Sequence, residues 1–183
     1  MATLARGMPT TFQLRAWTRF LAPVDAVWAH KTDPARLGAE FRPWRRFDTD
    51  GAALAAALSG AVPAEIAGRL LPLGLPPGIA WPVVVRAAEP PRTFTDTSSN
   101  ALYSRFEHVH SVEATCDGAR YLDVVTFTPR LLPKAVAILT ERLFAHRHAV
   151  SARGLPADKQ ATGVTVLRAI DEMELEAEGA MPA

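Results

Sequence analysis

The sequence holds one cysteine, Cys116, in 183 residues. No disulfide can close within the chain, and a reducing compartment is the setting this fits. Charge of one sign is also scarce in excess: 20 Lys and Arg stand against 19 Asp and Glu, a formal net charge of +1. With no basic stripe interleaved with aromatics, nucleic-acid binding by bulk electrostatics is not expected. There is no long hydrophobic run. Pro63, Glu65, Arg69, Pro72, Pro76 and Pro77 break up the most apolar region, so no transmembrane segment is expected. Residues 1–10 lack the apolar core of a secretory signal, which makes the cytoplasm the expected location. A glycine-rich phosphate loop, a nucleophile elbow and paired cysteines are missing too, and with them the chemistries those motifs serve. Self-similarity is absent, which argues against a repeat architecture. Cys116, beside a turn, has no neighbour that would activate it as a nucleophile.

What remains is ordinary globular material, 49% hydrophobic and 21% charged, of a length suited to one domain with a substantial core. Its most informative stretch is Tyr103 to Phe127. Alternation puts Ser104, Phe106, His108, His110 and Val112 on one face of a strand, and Tyr121, Asp123, Val125 and Phe127 on one face of a second. Cys116-Asp117-Gly118 between them favours a hairpin that sets the two faces side by side. Two imidazoles and a carboxylate then lie among apolar groups, where burial is costly unless they pair with each other, with water or with a ligand.

The rest of the chain is read in order. Phe12, Leu14, Ala16 and Thr18 alternate with polar neighbours as a half-buried strand. Pro23 to Lys31 reads as a short helix, and Asp33-Pro34 carries the cap and first-turn residues of another. Trp44 to Asp48 reads as a short strand and Ala52 to Leu58 as an alanine-rich helix. From Pro63, the spacing of Ile66, Arg69, Leu70 and Leu73 predicts a second helical piece, followed by an apolar loop over residues 72–78. Residues 52–78 are thus expected to form a helical, proline-rich insertion or lid, the loop packing on the domain, covering a pocket or touching a membrane. Trp81, Val83, Val85 and Ala87 share a strand face, with Pro82 at its start or edge. Phe94 to Ser98 is a further strand, and Ser98-Ser99-Asn100 a turn. A long helix is predicted from Lys134 to about Val150, with Val136, Leu139, Leu143, Arg147 and Val150 along one side and Phe144 beside them. Residues 151–183, with Gly154, Pro156 and a run of acids, are expected to be a loosely ordered acidic tail, the alternative being one more helix or a paired strand over Val164 to Leu175.

Ala22 to Trp28 followed by Thr32-Asp33-Pro34 resembles the opening signature of the START/Bet v 1-like (SRPBCC) superfamily, which includes polyketide cyclase/dehydrase-like proteins. Phe94-Thr95-Asp96, Phe106 to His110, Asp123 to Pro129 and Leu143 to Arg147 are similar, in order, to a bacterial branch of that superfamily. The likeness runs from Thr11 to Val150. It implies an α+β helix-grip fold: a curved antiparallel sheet wrapped around a long C-terminal helix, with two short helices after the first strand. The same superfamily holds carriers, quinone-binding proteins and cyclases, so fold alone leaves function open.

A helix across a curved sheet leaves room for a mostly apolar guest. By strand parity the expected lining is Phe12, Leu14, Trp81, Val83, Phe94, Asp96, Phe106, Tyr121, Leu139, Leu143 and Arg147, together with His108, His110 and Asp123; a filled interior is the alternative. The two histidines and Asp123 admit three uses. They form a buried network with Asp96 and Arg147 that fixes strand and helix, or they anchor a lipid, quinone or polyketide-like guest. Alternatively His108 or His110 serves as general acid or base, with Asp123 orienting it, as a cyclase, dehydratase or isomerase needs. The two-residue spacing lets both histidines face one metal with Asp123 as a third ligand, but no further ligand is evident; neither metal nor cofactor is expected. His30 and His148 read as surface or helix-end residues. The expected partner is a hydrophobic small molecule, with a homodimer or a protein contact through the tail and the apolar loop as further possibilities.

Overall fold

The structure is a computed structural model that describes residues 10–42, 45–59, 62–72 and 77–169. Its elements in chain order are β1 (Phe12–Phe20), α1 (Val24–Thr32), α2 (Pro34–Glu40), β2 (Arg45–Thr49), α3 (Gly51–Leu58), β3 (Ala64–Ile66) and β4 (Gly68–Pro72). Then come β5 (Ile79–Ala80), β6 (Val83–Glu89), β7 (Thr93–Ser98), β8 (Tyr103–Thr115), β9 (Gly118–Pro129), α4 (Pro133–Gly154) and β10 (Ala157–Ala169). Seven strands form one sheet in the order β10-β1-β9-β8-β7-β6-β3, and β2-β4-β5 form a second. Every strand pairing is antiparallel. This is the α+β helix-grip arrangement, with α4 as the long helix against the large sheet.

The hairpin of β8 and β9 turns at Cys116-Asp117, Thr115 pairing with Gly118. Gly118 is required there by crowding: a Cβ on it would lie 2.0 Å from the Phe20 carbonyl oxygen. The register sets His108 opposite Val125 and His110 opposite Asp123, while β7 places Asp96 opposite His108 and Phe94 opposite His110. A shift between Tyr103 and Arg105 changes the strand's phase at its start. Tyr103 is therefore buried and Ser104 exposed, the reverse of strict alternation; Ser104 Oγ donates instead to the Thr128 carbonyl at 3.0 Å.

Asp33 and Asp50 cap α2 and α3, each carboxylate accepting from the backbone amide two residues on. The helix predicted after Pro63 is two short strands. Ile66 and Leu70 are four apart, a spacing that fits both a helix face and an even strand period, and Gly68 between them is a poor helix interior residue. Pairing of β3 with Val83–Val85 of β6 and of β4 with Arg45–Thr49 of β2 settles it. Trp44 and residues 73–76, most of the expected apolar loop, lie outside the described residues.

Two further expectations change. Helix α4 continues to Gly154 and buries Ala137, Thr140, Phe144, Arg147, His148 and Ser151. The buried stripe is thus rotated from the predicted one, and Leu139 is exposed. The tail through Ala169 is not loose: β10 pairs with β1 along its length and forms the sheet edge. Residues 170–183 lie outside the described residues. Among the described residues, no helix is long and apolar enough to cross a membrane.

Candidate functional site

Strand pairing gathers Asp96 from β7, His108 and His110 from β8, and Tyr121 and Asp123 from β9 on the face that α4 covers. All five are buried, Asp123 completely. The imidazoles of His108 and His110 lie with ring centroids 3.6 Å apart. Asp96 flanks them on one side, its Oδ2 3.0 Å from His110 Nε2 and 3.8 Å from His108 Nδ1. Asp123 flanks them on the other, its Oδ1 3.0 Å from both His108 Nε2 and His110 Nδ1. The His108 Nε2 contact is out of line for a hydrogen bond, which leaves that buried nitrogen without one. Tyr121 donates its hydroxyl proton to Asp123 Oδ1 at 2.5 Å and meets His110 Nδ1 at 2.6 Å. The second oxygen of Asp123 takes His148 Nε2 at 3.1 Å, and His148 Nδ1 meets Thr18 Oγ1 at 2.8 Å.

A second buried cluster adjoins the first. Glu40, at the end of α2, pairs with Lys31 of α1 and accepts from Arg147 Nε of α4 at 3.0 Å and from Ser151 Oγ at 2.6 Å. Lys31 also donates to Ser151 Oγ at 2.9 Å and sits 4.5 Å from the centre of the Tyr121 ring. One carboxylate thus ties the two short helices to the long one.

The surroundings set protonation. Burial lowers the His108 pKa, and the neighbouring His110 lowers it further, to about 4 despite Asp123. Burial works against His110 as well, but Asp123 and Asp96 outweigh it and raise its pKa. Burial would raise Asp123, yet His108 and His110 hold it well below the usual carboxylate range. Glu40 follows the same balance: burial opposes ionisation, and Lys31 and Arg147 bring it down to about 2. His148 is lowered by burial against the pull of Asp123.

Beside the clusters lies a cavity of about 100 Å³, partly open to solvent. Of the residues expected to line it, Trp81, Val83, Phe94, Asp96, Phe106, His108, His110, Leu143 and Arg147 do so. Phe12 and Leu14 belong instead to the packed core, Phe12 stacked on Phe127 at 5.6 Å. Tyr121 and Asp123 sit behind the imidazoles, and Leu139 points away. The lining also includes Lys31, Leu37, Phe41 and Phe144, and Leu54, Leu58, Ile66 and Val85 at the end formed by α3, β3 and β6. His30 and His148, read from sequence as surface or helix-end residues, are both buried; His30 does lie in the last turn of α1.

A family model described as Domain of unknown function (DUF8410) matches residues 18–155. The chain belongs to the DUF8410 family. No curated protein matches this DUF8410 chain in sequence. Among solved structures it is similar to protein CV1439 from Chromobacterium violaceum, at 16% identity and TM-score 0.63, over 82% of this chain and 100% of that one. It is similar to the ZhuI aromatase/cyclase from Streptomyces sp. R1128, at 11% identity and TM-score 0.60, over 79% and 93%. The Bet v 1 homologue Ara h 8.0201 matches at 13% identity and TM-score 0.53, over 78% and 99%. These likenesses show the fold: the DUF8410 chain shares its helix-grip architecture with these proteins.

Proposed function

We propose that the protein binds a small hydrophobic molecule in the space between α4 and the sheet, with a polar group of the guest turned toward His108, His110 and Asp96. The observation that carries this reading is the cavity itself: aromatic and aliphatic walls around one polar end, open on a side to solvent. Its volume of about 100 Å³ is below the roughly 150 Å³ of an engineered apolar cavity that takes up benzene, so it encloses no more than a single ring or a short chain, the remainder of a guest lying in the open side. Trp81, Phe94, Phe106 and Phe144 offer ring edges and faces to such a guest, and a one-ring quinone or phenol fits this volume better than a lipid or a multi-ring polyketide. The named likenesses, a Bet v 1 homologue and an aromatase/cyclase, agree with a hydrophobic guest.

Trp81 forms part of the wall and reports on it. Titration with one-ring phenols and quinones should change the tryptophan fluorescence saturably, and the change should vanish in Trp81→Phe. A response that persists unchanged in Trp81→Phe, or no saturable response across the series, would count against a guest in this cavity.

A catalytic reading, cyclisation or dehydration with His108 or His110 as acid or base, has one observation in its favour: both cavity-lining imidazoles have Asp123 within 3.0 Å on the side away from the guest, the base-and-orienter geometry of proton-transfer sites. His108→Gln and His110→Gln separate the readings. A carrier changes affinity only, whereas a catalyst keeps its ligand and loses turnover.

A further inference from the structure

We propose that Asp96, His108 and His110 form a binding site for one divalent transition-metal ion at the polar end of the cavity. This goes beyond ligand binding and rests first on the placement of the donor atoms and of the groups behind them, with the cavity shared with that reading.

The donor atoms are already assembled: one from each of the three buried residues, all within 4.8 Å of one another. Metal–ligand bonds of about 2.0–2.2 Å place neighbouring donors about 3 to 3.5 Å apart. The 3.0 Å from His110 Nε2 to Asp96 Oδ2 already meets this, and the 3.8 Å from His108 Nδ1 needs only a small side-chain adjustment. Two histidines and one carboxylate on one side of an ion is a donor set used for zinc and for non-haem iron, with the remaining positions left open.

The second observation is what stands behind the imidazoles. A ligating histidine usually gives its other ring nitrogen to a carboxylate or similar group, which fixes the tautomer and orients the ring. Here the far nitrogens of both rings, His108 Nε2 and His110 Nδ1, lie 3.0 Å from the one buried carboxylate of Asp123, with the Tyr121 hydroxyl 2.6 Å from His110 Nδ1. The far nitrogen of His108 has no hydrogen bond; the adjustment that carries Nδ1 toward an ion can also bring Nε2 into line with Asp123.

The third is location. All three donors line the cavity, so an ion has a path from solvent and its open positions face the space where a guest sits. Electrostatics add a preference. A dication balances Asp96 and Asp123, and the adjoining Lys31, Arg147 and Glu40 carry a net single positive charge. The loaded site would therefore favour a monoanionic oxygen ligand such as a phenolate, enolate or carboxylate. The sequence led to no expectation of a metal and offered only Asp123 as a third ligand; strand order makes Asp123 the supporting group and gives the ligand position to Asp96, across from His108 on β7.

The test is calorimetric titration of chelator-treated full-length protein with Zn²⁺ and with Co²⁺, the latter followed by its visible absorption. One ion per chain is expected, with the affinity lowered at least about 100-fold in Asp96→Asn and in His108→Gln, and about 10- to 100-fold in Asp123→Asn. Should a variant not fold, imidazole ¹⁵N NMR of the wild type gives the same answer. Zn²⁺ should shift His108 and His110 out of the five histidines. Absence of stoichiometric binding, an affinity unmoved by Asp96→Asn in folded protein, or shifts confined to the half-exposed His146 would each overturn the proposal.

Discussion

Glu40→Gln should lower the stability of the protein by about 3–5 kcal/mol, the range seen when one partner of a buried ion pair is removed. Glu40 is 3% exposed, and Lys31 and Arg147, both turned toward it, are 8% and 5% exposed. Glutamine keeps the shape but not the charge, so two buried cations lose their shared counter-ion while Ser151 keeps a hydrogen-bond partner. For a chain of this size the melting temperature should fall by roughly 10 °C or more. Acid has the same effect on the unaltered protein. The Glu40 pKa is about 2 in the folded state against an ordinary 4.5. A depressed carboxylate pKa adds stability that is complete above the unfolded value and lost as pH falls through the folded one. The window is therefore from about pH 4.5 down to about 2, and the contribution is on the order of 3 kcal/mol at about 1.4 kcal/mol per pKa unit. Chemical denaturation at pH 7 and pH 3 should show the wild type losing more stability between the two than Glu40→Gln. Equal losses would show that Glu40 is not the carboxylate responsible.

Asp123→Asn should cost a similar amount, about 3–5 kcal/mol, for a different reason. Among the described residues, Asp123 is the only group that touches Tyr121, His108, His110 and His148 together. An amide supplies one acceptor oxygen in place of two and presents a donor to at least one neighbour that is itself a donor, leaving a buried polar group unpaired. The loss should appear as a drop in denaturation midpoint with the slope unchanged. His148→Gln should be milder, because it removes one arm of the network and leaves Asp123 with Tyr121 and His110. A change below about 1 kcal/mol in Asp123→Asn would mean that the charge is not what holds β9 to β8 and α4.

Much of this site was legible before any coordinates, because strands announce themselves by a period of two. Phe106, His108 and His110 share a face whatever the partner strand does, and the turn at Cys116-Asp117 fixes Asp123 opposite His110. The long helix was legible too, but not its orientation. Its buried face is Ala137, Thr140, Phe144, Arg147, His148 and Ser151, mostly polar residues whose burial depends on partners in α1, α2, β1, β8 and β9. A pattern of hydrophobicity cannot see Thr18 waiting for His148, or Glu40 for Arg147 and Lys31; it followed Leu139 to the solvent side instead. Likewise Ile66 and Leu70 fit either period, and only the availability of β6 and β2 as partners decided for strands. The strand β10 was the less favoured reading of the tail because an edge strand needs little hydrophobicity of its own when its hydrogen bonds go to β1.

The central claim is that a guest occupies the space bounded by Trp81, Phe94, Phe106, Phe144 and the paired imidazoles. A crystal structure of the protein soaked with an iodinated phenol tests it most directly, since the iodine can be located by its anomalous signal. Iodine inside that space, with the phenol oxygen within hydrogen-bonding reach of His108, His110 or Asp96, is the predicted result. An interior without anomalous density at a phenol concentration that saturates the fluorescence change, or iodine only on the outer surface, would contradict it.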